Sequence, residues 1–234
     1  MPIVAGQGLD YNVDIVMCID ATGSMSPIIE EVKTNALSFY KKFVAEMDEA
    51  NKRVEQLRIK VIVFRDYECD TEPMTQSDFF ILPDQNDAFE AFVRGITASG
   101  GGDGPENGLE AIASAIQSDW VTTGSKRRHV ILMFSDAPAL ELGQRSASPK
   151  YPVGMPANLQ ELGDWWEGTA QVGTFEASKC GRLVVFAPDA YPWSDMQTWN
   201  NYWHTPSSGG TGLEDVDIDA AIRLLVCSVG GTVQ

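Results

Sequence analysis

The sequence predicts an α/β fold, namely a doubly wound, mostly parallel central sheet with helices on both faces and one short antiparallel edge strand. Short, nearly continuous apolar runs are typical of strands that are buried on both faces. They alternate with longer segments in which apolar residues recur every three or four positions, the pattern of amphipathic helices. The length of 234 residues is ordinary for one such domain, and we expect a single domain over 1–234.

The first half of the chain begins with an apolar run, Val13–Ile19, that predicts the first strand and ends at Asp20. A long amphipathic helix should follow, through Met25, Ile29, Val32, Ala36, Tyr40, Phe43 and Met47. The polar stretch 48–55 either extends this helix or links it onward. Leu57–Phe64 predicts a second strand near a sheet edge, and Phe79–Leu82 a short antiparallel edge strand.

The second half contains the remaining elements. The pattern predicts helices over Asp87–Ile96, Asn107–Trp120, Leu159–Trp166, Ser194–Trp203 and Asp215–Val229, and strands over Val130–Phe134 and Arg182–Ala187. The basic segment Lys126–His129 is interpreted as a solvated loop. Five tryptophans between 165 and 203 indicate either a protein-binding face or ordinary packing.

A proline-bearing insertion at about 138–158 leaves the sheet directly after the strand Val130–Phe134. Since it begins at the carboxyl end of a strand, we expect it to cover or border any site there. Long loops of this kind are often functional. A merely tolerated insertion is the alternative.

Charge and hydropathy limit the partners. The net charge of −16 argues against nucleic acid and anionic membranes, whose binding relies on clustered Lys and Arg. No run approaches the roughly 18 apolar residues of a membrane helix. We therefore expect another protein as the partner, with no nucleic acid and no membrane insertion.

The four cysteines, Cys18, Cys69, Cys180 and Cys227, show no short-spaced pairing, and Cys18 lies in the first predicted strand. This suits reduced, packed thiols better than a disulfide framework. The residues before Val13 lack the basic start and the apolar stretch of a signal peptide. We expect a cytoplasmic protein, unless processing removed a leader.

Three oxygen-bearing side chains follow the first strand in alternation, namely Asp20, Thr22 and Ser24. Ligands of open α/β sheets bind at the carboxyl ends of strands. A tight loop there can turn a carboxylate and two hydroxyls toward one point, and such hard donors suit Mg²⁺, Mn²⁺ or Ca²⁺. Alternatively, Thr22 or Ser24 caps the following helix.

Two further loops at predicted strand ends carry acids, Gly100-Gly101-Gly102-Asp103-Gly104-Pro105-Glu106 and Ser135-Asp136-Ala137-Pro138. Together with Asp20-Ala21-Thr22-Gly23-Ser24-Met25 and Arg65-Asp66-Tyr67, they make the chain resemble the von Willebrand factor A domain family. The resemblance implies a metal-ion-dependent adhesion site. Its ligands would be Asp20, Thr22, Ser24, Asp103 and Asp136, some through water, with Mg²⁺ the first choice and Mn²⁺ or Ca²⁺ possible.

The chain departs from the integrin-like pattern at two positions. Asp103 stands where that pattern has a Thr, and Ala137 where a Gly is usual. Neutral hydroxyls leave a bound dication with unspent charge that attracts a partner's carboxylate. An extra carboxylate offsets that charge, so metal binding is the firmer expectation and capture of an acidic ligand through the metal the weaker one.

Motifs of catalysis are missing from the sequence, which has no GxxxxGK[ST] and no GxSxG. The only histidines, His129 and His204, are interpreted as structural or exposed. We expect neither catalytic nor cofactor-binding residues. A charge pair among Arg65, Asp66 and Glu68 should hold the loops, and Asp66 could support the metal loops.

The leading hypothesis is therefore a divalent-metal-binding module for protein–protein interaction, an adaptor rather than an enzyme. One alternative is a Mg²⁺- or Mn²⁺-dependent phosphoesterase-type hydrolase, because carboxylate-held metals can activate water. It lacks an evident general base. The other is a scaffold whose site binds no ion, with Asp103 and Asp136 serving as helix caps.

Overall fold

The computed structural model describes residues 9–102, 104–207 and 218–230. Its strands are β1 (Leu9–Asp20), β2 (Lys52–Phe64), β3 (Met74–Gln76), β4 (Phe80–Leu82), β5 (Arg127–Phe134), β6 (Gly181–Pro188) and β7 (Tyr202–Ser207). Its helices are α1 (Ile29–Glu49), α2 (Asn86–Arg94), α3 (Gly108–Ile116), α4 (Leu159–Glu167), α5 (Ala177–Cys180) and α6 (Ile218–Gly230). Short 3₁₀ turns cover Gly23–Met25 and Asp195–Thr198.

The sheet has the order β3-β2-β1-β5-β6-β7, with β4 also paired to β2. Strands β1, β2, β5, β6 and β7 run parallel, whereas β3 and β4 are antiparallel to β2. The predicted fold class is confirmed, and the antiparallel edge consists of two short segments. From Ile15 to Ile19, β1 is continuously apolar because this strand lies inside the sheet and is covered on both faces.

Alternate residues of β1 face two separate cores. Val13, Ile15 and Met17 pack in the core that includes α1, α2 and α6. Val16 and Cys18 pack in the other, which includes α3 and α4. Helices thus cover both faces of the sheet, and the carboxyl ends of the parallel strands lie together at one edge.

Two segments differ from the prediction because strand pairing overrides their local pattern. The polar stretch 48–55 is neither wholly helix nor linker, since α1 ends at Glu49 and β2 already begins at Lys52, opposite Leu9 of β1. The helix predicted over Ser194–Trp203 is wrong. Only a 3₁₀ turn forms there, and β7 begins at Tyr202, where the chain pairs in parallel with β6.

The basic segment Lys126–His129 is not a solvated loop, because Arg127, Arg128 and His129 belong to β5. Arg127 pairs with Glu176 at 2.8 Å, so its charge is compensated at the start of β5. His129 is completely buried and stacks on Trp120, with the ring centroids 4.9 Å apart. The prediction of a structural role for this histidine is confirmed.

The tryptophans of the Trp-rich region all take part in packing. Trp166 and Trp193 are buried, and Trp165, Trp199 and Trp203 are partly buried against the two cores. The large apolar side chains exposed in the described residues are Ile81, Val153 and Tyr191. The predicted start of the last helix, Asp215, lies outside the described residues. None of the helices in the described ranges is long and apolar enough to cross a bilayer.

Candidate metal site

The predicted site residues come from two neighbouring strand ends. Asp20 is the last residue of β1, Thr22 and Ser24 follow it, and Asp136 lies two residues after β5. Thr22, Ser24 and Asp136 line one cleft of about 300 Å³, whose other described lining residues are Gly23, Gly100, Gly102, Gly104, Glu106 and Ala137. Asp103 lies outside the described residues, and its part in the site stays a prediction.

Asp20 is completely buried and is held from two sides. Its Oδ1 accepts hydrogen bonds from the Thr22 backbone N–H at 3.0 Å and from the Thr22 hydroxyl at 2.7 Å. Its Oδ2 accepts from the Ser135 hydroxyl at 2.8 Å. Asp20 therefore fixes the position of Thr22 and of the segment after β5.

A chain of hydrogen bonds continues from Asp20 across the cleft. The hydroxyl oxygens of Thr22 and Ser24 lie 3.1 Å apart, and the Ser24 hydroxyl donates to Asp136 Oδ1 at 3.0 Å. Neither hydroxyl caps a helix, since α1 begins at Ile29 without a side-chain cap and Thr22 makes no capping bond to the 3₁₀ turn. The capping alternative is therefore wrong for Thr22 and Ser24.

Two carboxylate oxygens in this cleft lack any partner. They are Asp136 Oδ2 and Glu106 Oε2, on side chains that are 5% and 3% exposed. A buried polar atom without a hydrogen bond is costly, and more so when it is charged. A cation bound beside such an oxygen would satisfy it, and carboxylate and hydroxyl oxygens are the hard donors that Mg²⁺, Mn²⁺ or Ca²⁺ prefers. The residues present therefore fit a divalent cation.

The electrostatics of the cleft reflect uncompensated negative charge. Burial raises the pKa of Asp20 to about 6, against the hydrogen bonds from Thr22 and Ser135 that lower it. Burial also raises the pKa of Asp136. The pKa of Glu106 rises to about 8, first through burial and then through the charges of Asp20, Asp66, Asp70 and Asp136. A cation in the cleft would oppose these shifts.

The acidic side chains alone do not form a complete coordination site for a metal ion. Within the described ranges, no group of three or more Asp, Glu, His or Cys side chains is placed to hold an ion. The cleft instead combines carboxylates with the hydroxyls of Thr22 and Ser24, and Asp103 is not among the residues described.

The Gly-rich turn fits between the other loops only because it has no side chains. Gly100 and Gly101 have φ of +72° and +78°, a region that other residues rarely adopt. A Cβ on Gly101 would lie 2.9 Å from both Glu106 Oε1 and Thr22 Cβ. The Gly23 N–H donates to Gly100 O at 2.9 Å, and the Gly101 N–H donates to Asp70 Oδ2 at 2.9 Å. The turn thus joins the first loop to the segment after β2.

Glu106 and Asp70 are the residues of the site that the sequence reasoning did not single out. Glu106 lies in the Gly-Gly-Gly-Asp-Gly-Pro-Glu motif, which could have drawn attention to it. Its backbone N–H donates to Pro138 O at 3.1 Å and its carbonyl accepts from the Leu140 N–H at 2.8 Å, so the third loop holds it beside the cleft. No sequence signal distinguishes Asp70.

Arg65 connects the loops through backbone carbonyls and not through an acid. Its side chain donates to Ala21 O and Ser99 O at 3.1 Å each and to Thr97 O at 2.8 Å. The charge pair predicted among Arg65, Asp66 and Glu68 is therefore wrong, because Arg65 pairs with neither acid. Arg145 of the insertion instead pairs with Asp66 at 3.0 Å and also with Glu68.

The insertion contacts the segments next to the cleft and not the cleft itself. Its side chains contact the segment after β2, since the Ser148 hydroxyl donates to Tyr67 O at 2.7 Å and Lys150 donates to Asp70 O at 2.6 Å. The Tyr151 hydroxyl donates to the buried carboxylate of Glu110 on α3 at 2.9 Å. Among the described residues that line the cleft, none comes from 139–157. The insertion therefore supports the loops around the cleft without covering it.

A family model of the von Willebrand factor A domain matches residues 14–147, more than half of the chain. The parallel sheet, the two helical layers and the three loops at its carboxyl edge agree with that match. The chain belongs to the von Willebrand factor A domain family.

Two curated proteins are similar in sequence to part of the chain. The alpha-protein kinase vwkA of Dictyostelium discoideum is 27% identical over 159 residues, which cover 63% of this chain and 22% of that protein. The putative ariadne-like RING finger protein R811 of Acanthamoeba polyphaga mimivirus is 31% identical over 126 residues, covering 54% of this chain and 11% of that protein. The chain thus spans a small part of either relative.

Solved structures share the fold at low sequence identity. The pilus adhesin SpaC from Lactobacillus rhamnosus GG, in its open conformation, has a TM-score of 0.54 at 11% identity, covering 94% of this chain and 30% of that chain. The von Willebrand factor type A protein from Catenulispora acidiphila has a TM-score of 0.51 at 10% identity, covering 95% and 43%. These similarities concern the fold.

Proposed function

We propose that this domain binds one divalent cation, Mg²⁺ in the first place and Mn²⁺ or Ca²⁺ as substitutes, in the cleft formed by Thr22, Ser24 and Asp136. Asp20 holds Thr22 in position and reaches the ion directly or through water, and Asp103 completes the set. The observation that carries this proposal is the unpartnered Oδ2 of Asp136, a residue that lines the cleft together with the hydroxyl residues Thr22 and Ser24.

We propose further that the domain acts as a protein-interaction module and not as an enzyme. Its two curated relatives are a kinase and a RING finger protein, and the matched region is 22% and 11% of their lengths. Such short matches within two different kinds of protein are expected if the domain is a module attached to separate functional parts. The structural similarity to a pilus adhesin, although it concerns the fold alone, is compatible with a role in binding partners.

A cytoplasmic location remains part of the proposal. All four cysteines are free, and Cys18 and Cys180 are buried as ordinary packed thiols. Unpaired cysteines are typical of a reducing compartment. Imaging of the tagged protein in its own cells would test this, and secretion into the medium would contradict it.

The hydrolase alternative gains no support from the cleft. Its described lining contains no Lys, Arg or His that could act as a general base or neutralise a phosphate. The main alternative is a scaffold that binds no ion, because the contacts among the loops also stabilise the fold without a metal.

Calorimetric titration of the chelator-stripped chain with Mg²⁺, Mn²⁺ and Ca²⁺ tests the metal site. We expect one ion per chain in the wild type and no measurable binding in Asp136→Asn, which keeps the shape of the side chain and removes its charge. A matched control is Asp195→Asn, at the start of a 3₁₀ turn outside the cleft, and should bind like the wild type. A well-folded wild type that binds none of the ions would refute the proposal.

A further inference from the structure

We propose that Arg145 of the insertion is a positioning residue for the cation cleft, so that docking of the insertion and binding of the ion stabilise each other. Arg145 is not among the described residues that line the cleft. It acts through the segment after β2, residues 65–73, and through the Gly-rich turn. The inference rests on the proposed function, because it concerns a cation in the same cleft.

The contact between Arg145 and Asp66 is the first step of this connection. Asp66 is 1% exposed, and its Oδ2 accepts hydrogen bonds from Nε of Arg145 at 3.3 Å and from Nη2 at 3.0 Å. A buried carboxylate that loses its charge partner is strongly destabilised. The ionised Asp66 therefore holds Arg145, and with it the insertion, against the segment after β2.

Asp66 also organises the backbone of the segment after β2. Its Oδ1 accepts hydrogen bonds from the N–H groups of Glu68 at 2.6 Å and of Cys69 at 3.2 Å. Its own N–H donates to Oδ2 of Asp70 at 3.1 Å, and the Asp70 N–H donates to the Asp66 carbonyl at 3.0 Å. The tight turn that these bonds close fixes the position of the Asp70 carboxylate.

Asp70 connects this turn to the Gly-rich turn beside the cleft. Its Oδ2 also accepts from the Gly101 N–H at 2.9 Å, and a Cβ on Gly100 would lie only 1.7 Å from its Oδ1. The Gly100 carbonyl accepts from the Gly23 N–H at 2.9 Å, and both of these glycines line the cleft. Hydrogen bonds thus lead without interruption from Arg145 to the first loop of the cleft.

The other contacts between the insertion and this segment do not depend on charge pairing. The Ser148 hydroxyl and the Lys150 ammonium donate to the backbone carbonyls of Tyr67 and Asp70. The insertion should therefore remain folded against the segment when Arg145 is replaced. What changes is the support of the buried carboxylate that orders the turn.

The coupling acts in both directions. A cation in the cleft needs the first loop and the Gly-rich turn in one arrangement, and the arrangement observed is the one that Arg145 supports. By linkage, the factor by which the docked insertion raises the cation affinity is also the factor by which the cation stabilises the docked insertion. A partner protein that binds the docked insertion would therefore raise the cation affinity of the cleft.

The test compares Arg145→Gln with Arg127→Gln in the full chain, with Mn²⁺ alone as the probe. Arg127 is a matched control, because it pairs with Glu176 at 2.8 Å, its side chain is 23% exposed against 25% for Arg145, and it lies at the start of β5. Calorimetric titration should show a dissociation constant raised about 3- to 10-fold in Arg145→Gln, and within about twofold of the wild type in Arg127→Gln.

The sign of the change separates positioning from a simple effect of charge. Removal of a positive charge near a cation site should raise the cation affinity by Coulomb's law, whereas loss of positioning should lower it. Equal or higher Mn²⁺ affinity in Arg145→Gln than in the wild type would overturn the inference and leave the metal site intact. Absence of Mn²⁺ binding in the folded wild type would overturn the proposed function and the inference together.

Hydrogen exchange of the wild type tests the reverse direction and needs no variant to fold. The Ser148 N–H donates to Arg145 O at 2.9 Å, and the Tyr151 N–H donates to Ser148 O at 3.0 Å. Saturating Mn²⁺ should slow exchange at both amides by about 3- to 10-fold, and leave the amides of Ala50 and Asn51 at the end of α1 unchanged. Unchanged exchange in the insertion of a chain that binds Mn²⁺ would contradict the coupling.

Discussion

Buried carboxylates occur near both ends of β1, and the two ends differ in whether every carboxylate oxygen has a partner. Near the amino end, Asp14 is fully buried, and both of its oxygens have partners. Arg58 of β2 donates to Oδ1 at 2.8 Å and to Oδ2 at 2.6 Å, and the Val121 N–H donates to Oδ2 at 2.6 Å. At the carboxyl end, Asp136 and Glu106 each keep one buried oxygen without a partner.

The contrast separates a structural acid from a binding acid. Asp14 serves the fold and is neutralised by the chain itself, through the bidentate contact of Arg58. The acids of the cleft have hydroxyls and other acids around them and no cation within the described lining. Burial alone therefore does not identify the site, whereas burial without a charge partner at a residue that lines the cleft does.

Breaking the structural pair should have the largest effect on stability. Arg58→Met leaves Asp14 buried and uncompensated, so the free energy of unfolding should fall by about 3 kcal/mol, in the range for a broken buried ion pair. Urea unfolding of the metal-free protein measures it. The folded fraction should bind Mn²⁺ as before, because the cleft lies at the other end of the sheet.

Arg53→Met is the matched control for this substitution. Arg53 lies on the same strand and faces Asp10 at 4.0 Å, with its side chain 75% exposed. An exposed pair of this kind contributes little, and the free energy of unfolding should change by less than about 0.5 kcal/mol. A loss in Arg58→Met no larger than that of the control would mean that Asp14 is satisfied without Arg58.

At the carboxyl end, Gly101→Ala should weaken both the fold and the site. The positive φ costs about 1–2 kcal/mol for a residue with a Cβ, and the new atom would collide with Glu106 and Thr22. We expect a fall of about 2 kcal/mol in the free energy of unfolding, together with a lower Mn²⁺ affinity in calorimetry.

Gly154→Ala isolates the backbone part of that cost. Gly154 has φ of +77°, but its added Cβ would meet only Gln117 Nε2, at 3.9 Å. It should lose stability on the scale of the φ penalty alone and keep the Mn²⁺ affinity of the wild type. If both variants bound Mn²⁺ equally well, the close fit of Gly101 between Glu106 and Thr22 would not matter for the site.

Local sequence patterns were sufficient for the central strands and for the loops at their ends. The apolar run of β1 and the change to Asp20, Thr22 and Ser24 depend on neighbouring residues only, and a parallel arrangement then requires the strand ends to meet. The strand β7 was missed because Tyr202–Ser207 has no continuous apolar run, and it becomes a strand only by pairing with β6.

The burial of Glu106 could not be predicted from sequence for a related reason. An acid just before a helix usually favours the helix N-terminus, where it interacts with the dipole and remains solvated. Its burial here depends on the backbone bonds to Pro138 and Leu140, more than 30 residues away in the chain. The roles of Asp70 and Arg145 likewise depend on contacts between distant loops.

The smallest predicted effect concerns pH and the amino end of the sheet. His129 Nε2–H donates to Val121 O at 3.0 Å and Nδ1 accepts from the Glu176 N–H at 3.2 Å, so the buried ring has no place for a second proton. Burial lowers the pKa of His129, against the Val121 bond and the charges of Asp14 and Glu176, while Arg127 lowers it further. The unfolded chain takes up that proton near pH 6.5.

The stability that His129 contributes is therefore complete above about pH 6.5 and declines as the pH falls, by at most about 1.4 kcal/mol per pH unit. Urea unfolding at pH 7.5 and pH 5.5 should show this decline in the wild type but not in His129→Gln. The cleft carboxylates titrate in both proteins, so their contribution cancels when the two pH dependences are subtracted. Equal pH dependence in both proteins would mean that the fold accommodates the protonated ring.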